Sequence, residues 1–212
     1  MKTPRKRAPL SRERILHAAL AIVDREGLDA ISMRRLGEEL GVEAMSLYNH
    51  VANKAAVLDG IFETVLGELP DPKRSSSWQA TLRERAFAFR AVLCAHPNAL
   101  PIFGARPAVT PASIAHVETI LAVLRRTGFS VHDALGALQV LVAFVVGHTV
   151  ATCSSPDEAS VNYHTLDEAT FPHVREVARV LDRHDVEREF ELGLEAMLTG
   201  LEARLERRRR KG

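Results

Sequence analysis

The chain is short of the features that mark most function classes. It holds only two cysteines, Cys94 and Cys153, in apolar helical surroundings and without close spacing. That argues against a disulfide framework or a zinc site and predicts buried thiols in a reducing cytoplasm, with redox sensing as the alternative. No strand alternation and no internal repeat runs along the sequence. The His-Glu-x-x-His pair, the nucleophile elbow and the phosphate-cradling glycine loop are all missing. His96, His116, His132, His148, His164, His173 and His184 are scattered without ligand spacing, so a metal-dependent enzyme is only a rival reading. The expectation is no catalysis, no bound metal and no cofactor. Charge of one sign is also scarce: the net charge is +1, which argues against indiscriminate coating of nucleic acid. The amino terminus is basic but lacks the apolar run of a signal peptide, which fits a cytoplasmic location.

What is present is concentrated in residues 32–50. Leu36 and Leu40 share one face of a short helix that Ser32 can cap. Gly41 can supply the left-handed residue that stops it. Val42 then turns back into the corner and Leu47 anchors a second short helix. The residues left outside, Glu43, Ala44, Met45, Ser46, Tyr48 and Asn49, are small or hydrogen-bonding and suit base edges and phosphates. A plain helical hairpin within a bundle is the alternative. Upstream, Ile15, Ala19, Ile22 and Val23 line one face of a helix over residues 11–26, which completes a three-helix unit. Downstream, Asn53 can cap a helix beginning at Lys54, a phosphate clamp made of a helix start and a lysine. The first fourteen residues carry Lys2, Arg5, Lys6, Arg7, Arg12 and Arg14 against Glu13 alone. Such an arm either tracks a phosphate strand or serves only solubility.

The rest is helical by period. Residues 54–69 form an amphipathic connecting helix and 70–77 a linker rich in turn formers. Helices are predicted over 78–95, 111–127, 131–152, 172–182 and 186–207, with short pieces around Pro97, Pro101 and Pro107. From Ala134 to Pro156 there is no charged side chain. Gln139, Gly147, His148 and Thr149 break this run, so it reads as a central core helix, partly buried against a second subunit, and not as a membrane span. The basic tail from Arg207 to Lys211 reads as a frayed helix end that complements the helix dipole.

Leu40-Gly41-Val42, Leu47-Tyr48-Asn49-His50 and Asn53-Lys54 together resemble the DNA-binding domain of the tetracycline repressor (TetR) family of transcriptional regulators, over about residues 11–66. Trp78-Gln79, Phe89-Arg90, Gly104-Ala105-Arg106-Pro107, Val117-Glu118-Thr119, Gly128-Phe129-Ser130 and Gly193-Leu194-Glu195 resemble the ligand-binding domain of the tetracycline repressors. The resemblance implies an all-α protein: a helix-turn-helix domain with its basic arm over residues 1–66, and a larger effector-binding and dimerisation domain over 67–212. It implies a homodimer paired through residues 131–152 and 186–207 of each chain. Arg34, Ser46, Tyr48, His50 and Lys54 match family positions that touch bases or phosphates, although Tyr48 also suits packing between helices. Glu43, Ala44, Met45 and Asn49 fill the positions that vary with operator sequence.

The ligand side departs from the family. Phe103 stands where the tetracycline repressors place a histidine on the drug-bound magnesium, and Ile120 and Arg85 stand at polar amide positions. The expected function is therefore a repressor released from double-stranded operator DNA by a small-molecule effector other than magnesium-tetracycline. Phe89, Leu93, Phe103, Ile120, Leu124, Phe144 and His148 are the expected lining of its pocket. A ligand-independent architectural protein or activator is the rival that keeps DNA binding.

Overall fold

A computed structural model describes residues 9–72, 77–153, 162–181 and 183–210. Its described residues contain helices and no strand. The first four helices follow from their caps. Ser11 accepts a hydrogen bond from the Arg14 N–H and opens α1 (Arg12–Glu26), whose Ile15, Ala19, Ile22 and Val23 are fully buried. Ser32 does the same for Arg35 at the start of α2 (Met33–Leu40). Gly41 closes α2 with a φ of 64°, and the Val42 N–H returns to the Gly37 carbonyl at 2.9 Å. Helix α3 is a single turn, Ala44–Leu47, prolonged by tight turns through His50. Asn53 accepts from the Ala56 N–H at 2.9 Å and opens α4 (Lys54–Gly67).

Six further helices make the body. They are α5 (Trp78–Ala95), α6 (Leu100–Ala105), α7 (Pro111–Thr127), α8 (Val131–Cys153), α9 (Pro172–Leu181) and α10 (Val186–Arg209). Short 3-10 turns lie between them at Leu28–Ala30, Pro97–Ala99 and Tyr163–Thr165. Thr110 and Ser113 form a reciprocal capping box at α7, and Gly128 ends it in the left-handed region. Helix α8 runs through the centre, packed on α5, α6, α7 and α10. At Gly193 of α10 an added Cβ would lie 2.6 Å from the Phe144 ring, so glycine lets these two helices approach. By length and composition α8 could cross a membrane, yet Ala134, Ala137, Leu141, Val145 and Val146 are buried in the protein core.

Helix α4 lies in the middle of the core. Val57, Ile61 and Val65 are fully buried, and Gly60 lies against the Leu16 side chain of α1. One continuous apolar cluster runs from Ile15 in α1 through α4 to Leu205 in α10.

Several expectations are corrected by the packing. Cys94, at the end of α5, and Cys153, at the end of α8, form a disulfide with Cα atoms 5.4 Å apart, not two separate thiols. Both helices end at the same level of the body, a proximity that spacing along the chain does not reveal. Arg12 is not part of a free basic arm, because it makes two 2.8 Å hydrogen bonds to Glu63 on α4. Lys2, Arg5, Lys6 and Arg7 lie outside the described residues. The basic tail is docked up to Arg209: Arg204 and Arg208 pair with Asp133, and Arg209 donates to the Thr127 carbonyl.

Gly37 fixes the hairpin corner. A Cβ there would sit 2.8 Å from the Val42 carbonyl oxygen, a backbone atom that cannot swing aside. Glycine to alanine inside a helix ordinarily stabilises by about 1 kcal/mol. For Gly37→Ala the overpacking should reverse the sign, with a loss of about 1–3 kcal/mol. Urea unfolding measures it, and a gain in stability would contradict the close approach.

Candidate nucleic-acid interface and effector cavity

The hairpin divides its side chains cleanly. Leu36, Leu40, Leu47 and Val51 face inward and are buried. Met45 is 75% exposed and Tyr48 46% exposed, so Tyr48 is not absorbed into interhelical packing. Glu43, Asn49, His50 and Lys54 are also exposed, whereas Ala44 and Ser46 are half-buried at the corner. Lys54 occupies the first position of α4, where the free N–H groups and the dipole favour an anion. The two adjacent arginines differ. Arg35 is held by Glu26 at 2.6 Å and by Glu39 at 2.8 Å, with Arg25 bridging the same two carboxylates. Arg34 points outward and only approaches Glu38, at 3.7 Å. The nine side chains read as DNA-facing from the sequence lie on α2, in the turn before α3, on α3, in the turn after it or at the start of α4.

A cavity of about 210 Å³ opens in the body, walled by α4 to α8. Phe62 and Phe103 stack in its wall with centroids 4.5 Å apart, and Phe89 meets Phe103 edge-on at 5.8 Å. Ile120, Leu141 and Val145 extend the apolar wall, and Arg85, Arg106 and His116 are its polar points. Burial, reinforced by the charge of Arg85, holds the His116 pKa below the ordinary histidine value.

Of the expected lining, Phe89, Phe103 and Ile120 meet here. Leu93 and Leu124 do not: both are fully buried in packed core. Phe144 and His148 do not either, because their face of α8 turns to α10. There Phe144 stacks on Phe190 at 5.1 Å, His148 lies edge-on to it at 5.0 Å, and Arg90 covers the same ring. The sequence reading missed Phe62, Leu66, Arg106 and His116. Phe62 and Leu66 sit one turn apart on α4, but their period alone could not tell a core face from a cavity face.

Polar contacts tie this cavity to the head. Arg106, at the end of α6, donates to Asp59 of α4 at 2.8 Å and reaches the Ala55 carbonyl at 3.4 Å. Arg85 donates to the Pro70 carbonyl just beyond α4 at 2.6 Å. His96, after α5, places one ring nitrogen 3.0 Å from Asp24 of α1 and the other 3.0 Å from Glu68. Among the described residues no group of three His, Cys, Asp or Glu side chains comes together as a metal site.

Comparison with known proteins agrees with this geometry. Residues 15–61 match the family described as bacterial regulatory proteins, tetR family, and residues 69–205 match the tetracyclin repressor-like C-terminal domain. The tetracycline repressor protein class D of Escherichia coli is 33% identical over 209 residues, covering 93% of this chain and 92% of that protein. Two structures of ActR from Streptomyces coelicolor also match. The complex with actinorhodin is 33% identical with a TM-score of 0.81, covering 93% of this chain and 99% of that one. The complex with (S)-DNPA is 32% identical with a TM-score of 0.80, covering 92% and 98%.

The His96 bridge makes stability depend on pH. Burial opposes the imidazolium, and Glu68 and Asp24 outweigh it, so the His96 pKa is raised. A raised folded pKa gives stability that is fully present below the unfolded value of about 6.5 and is lost as pH rises through the folded value. Wild type should therefore exceed His96→Gln in stability by more at about pH 6 than at about pH 8.5. Urea unfolding at the two pH values checks this, and an equal margin at both would refute the bridge.

Proposed function

This chain belongs to the TetR family of bacterial regulatory proteins and is a helix-turn-helix transcriptional regulator, and we propose that it works as a homodimeric repressor released from operator DNA by a small molecule. The observation that carries the reading is the coexistence of an outward-facing reading hairpin and an apolar cavity, joined by α4. Arg34, Ser46, Tyr48, His50 and Lys54 hold bases or phosphates on this proposal, and Glu43, Ala44, Met45 and Asn49 set the sequence preference. The exposed Met45 side chain suits a thymine methyl. Residues 1–66 form the head and 67–212 the body. The protein is cytoplasmic, non-catalytic and not anchored in a membrane.

Dimerisation explains a surface that one chain leaves uncovered. Val131, Leu135, Val140 and Val150 are exposed apolar side chains of α8, and Leu192 is one of α10. Pairing these helices with their copies buries such side chains in a four-helix bundle. The two reading hairpins must then stand about 34–36 Å apart to enter successive major grooves.

Effector binding supports release through Arg106. A molecule that fills the cavity beside the stacked Phe62 and Phe103 presses on α4 and α6 together, and Arg106 passes any shift of α6 to Asp59 on α4. Release requires a ligand that binds the two conformations unequally, and a coupling of about 1–3 kcal/mol changes DNA affinity roughly 5–150-fold. Magnesium-tetracycline is a poor candidate, because Phe103 offers no metal ligand in a wall of phenylalanines. The actinorhodin complex of ActR makes ring-bearing organic molecules the first panel to test.

Selection from random duplexes should yield a specific operator. Tyr48→Ala should weaken its binding by about 1–3 kcal/mol, and Lys54→Ala should reduce the salt dependence by about one ion. Fluorescence anisotropy against salt concentration measures both in variants that melt like wild type. Failure to select any operator, or unchanged binding by both variants, would refute the DNA assignment.

A further inference from the structure

Arg85 differs from three other arginines of the head and the cavity wall. Arg12 has Glu63, Arg35 has Glu26 and Glu39, and Arg106 has Asp59. Arg85 is only 8% exposed and lines the cavity, yet among the described residues its partner is the Pro70 carbonyl and no carboxylate. A guanidinium stays charged at any pH the protein meets. Burying such a charge is costly unless an opposite charge or a full set of acceptors meets it. A carbonyl takes one of its five N–H donors. The cavity around it is otherwise apolar, so water alone is a poor substitute for an anion.

We propose that the effector is an aromatic acid, whose flat ring system lies among Phe62, Phe89 and Phe103 and whose carboxylate or acidic hydroxyl pairs with Arg85. The inference rests on the effector-release reading above and adds the chemical class of the ligand. His116, the other polar point beside Arg85, can donate or accept a second hydrogen bond as a neutral imidazole. Arg106 is less available to the acid, because Asp59 already neutralises it. An acid strong enough to draw Arg106 away from Asp59 would also loosen the contact to α4.

The test uses anthracene-2-carboxylate and the isosteric, neutral anthracene-2-carboxamide as probes on the full-length protein, with affinity measured by calorimetry in the absence of DNA. Wild type should bind the acid about 10–100-fold more tightly than the amide, the range expected for one buried charged hydrogen bond. In Arg85→Gln the preference should fall to near unity while the amide binds as before. Arg85→Lys should keep part of the preference. The proposal is overturned if wild type binds neither probe, if it binds both equally, or if Arg85→Gln keeps the preference. Should Arg85→Gln not fold, the wild-type ratio and Arg85→Lys decide the matter. A parallel measurement of operator release separates the two claims. An acid that binds with preference but leaves the operator complex intact refutes effector release and sustains the acid site. Release by the amide as readily as by the acid refutes the acid site and sustains effector release.

Discussion

Helix α4 cannot move without disturbing two packed regions, and the rest of the molecule is arranged around that constraint. Its Val57, Ile61 and Val65 are fully buried, and Gly60 brings it against Leu16 of α1. Its Phe62 and Leu66 form one wall of the cavity, and Asp59 is held by Arg106 at the far side. Interiors at crystalline density transmit small displacements and do not absorb them. On the proposed mechanism this makes α4 the lever: whatever fills the cavity acts on the element whose first residue, Lys54, faces the DNA.

The two ends of the lever are built differently. The head is a rigid frame, with a capped α2, a left-handed Gly41, a corner at Gly37 and an arginine-glutamate network that locks α1 to α2. Met45, Tyr48, Asn49 and His50 stand exposed outside this frame. The body combines a phenylalanine-walled space with a buried guanidinium that, among the described residues, pairs with a carbonyl and no carboxylate. On the proposed mechanism that combination is the effector site, since a packed core would fill the space and leave out the charge.

Local chemistry made much of this legible. Ser32, Gly41, Asn53 and Gly128 announce helix ends through hydrogen-bonding and conformational preferences that need no tertiary context, and each sits at the expected boundary. The apolar period placed α5 and α7 at their observed bounds. Tertiary proximity was not legible. Cys94 and Cys153 meet because two helices end side by side. Arg34 and Arg35 look equivalent until Glu26 and Glu39 claim one of them. Phe144 and His148 looked like cavity residues because an apolar helix shows every face alike. Only the position of α10 decides which face turns inward.

Head separation in solution tests the lever most directly. A spin label at the exposed Asp29, in protein with Cys94 and Cys153 replaced by serine, reports the distance between the two heads of a dimer by pulsed electron paramagnetic resonance. The lever predicts one distance in the operator complex and a different one with a ligand that releases the operator. It also predicts that Arg106→Gln binds the ligand but no longer shows the change. The same distance in both states, or an undiminished change in Arg106→Gln, would contradict it.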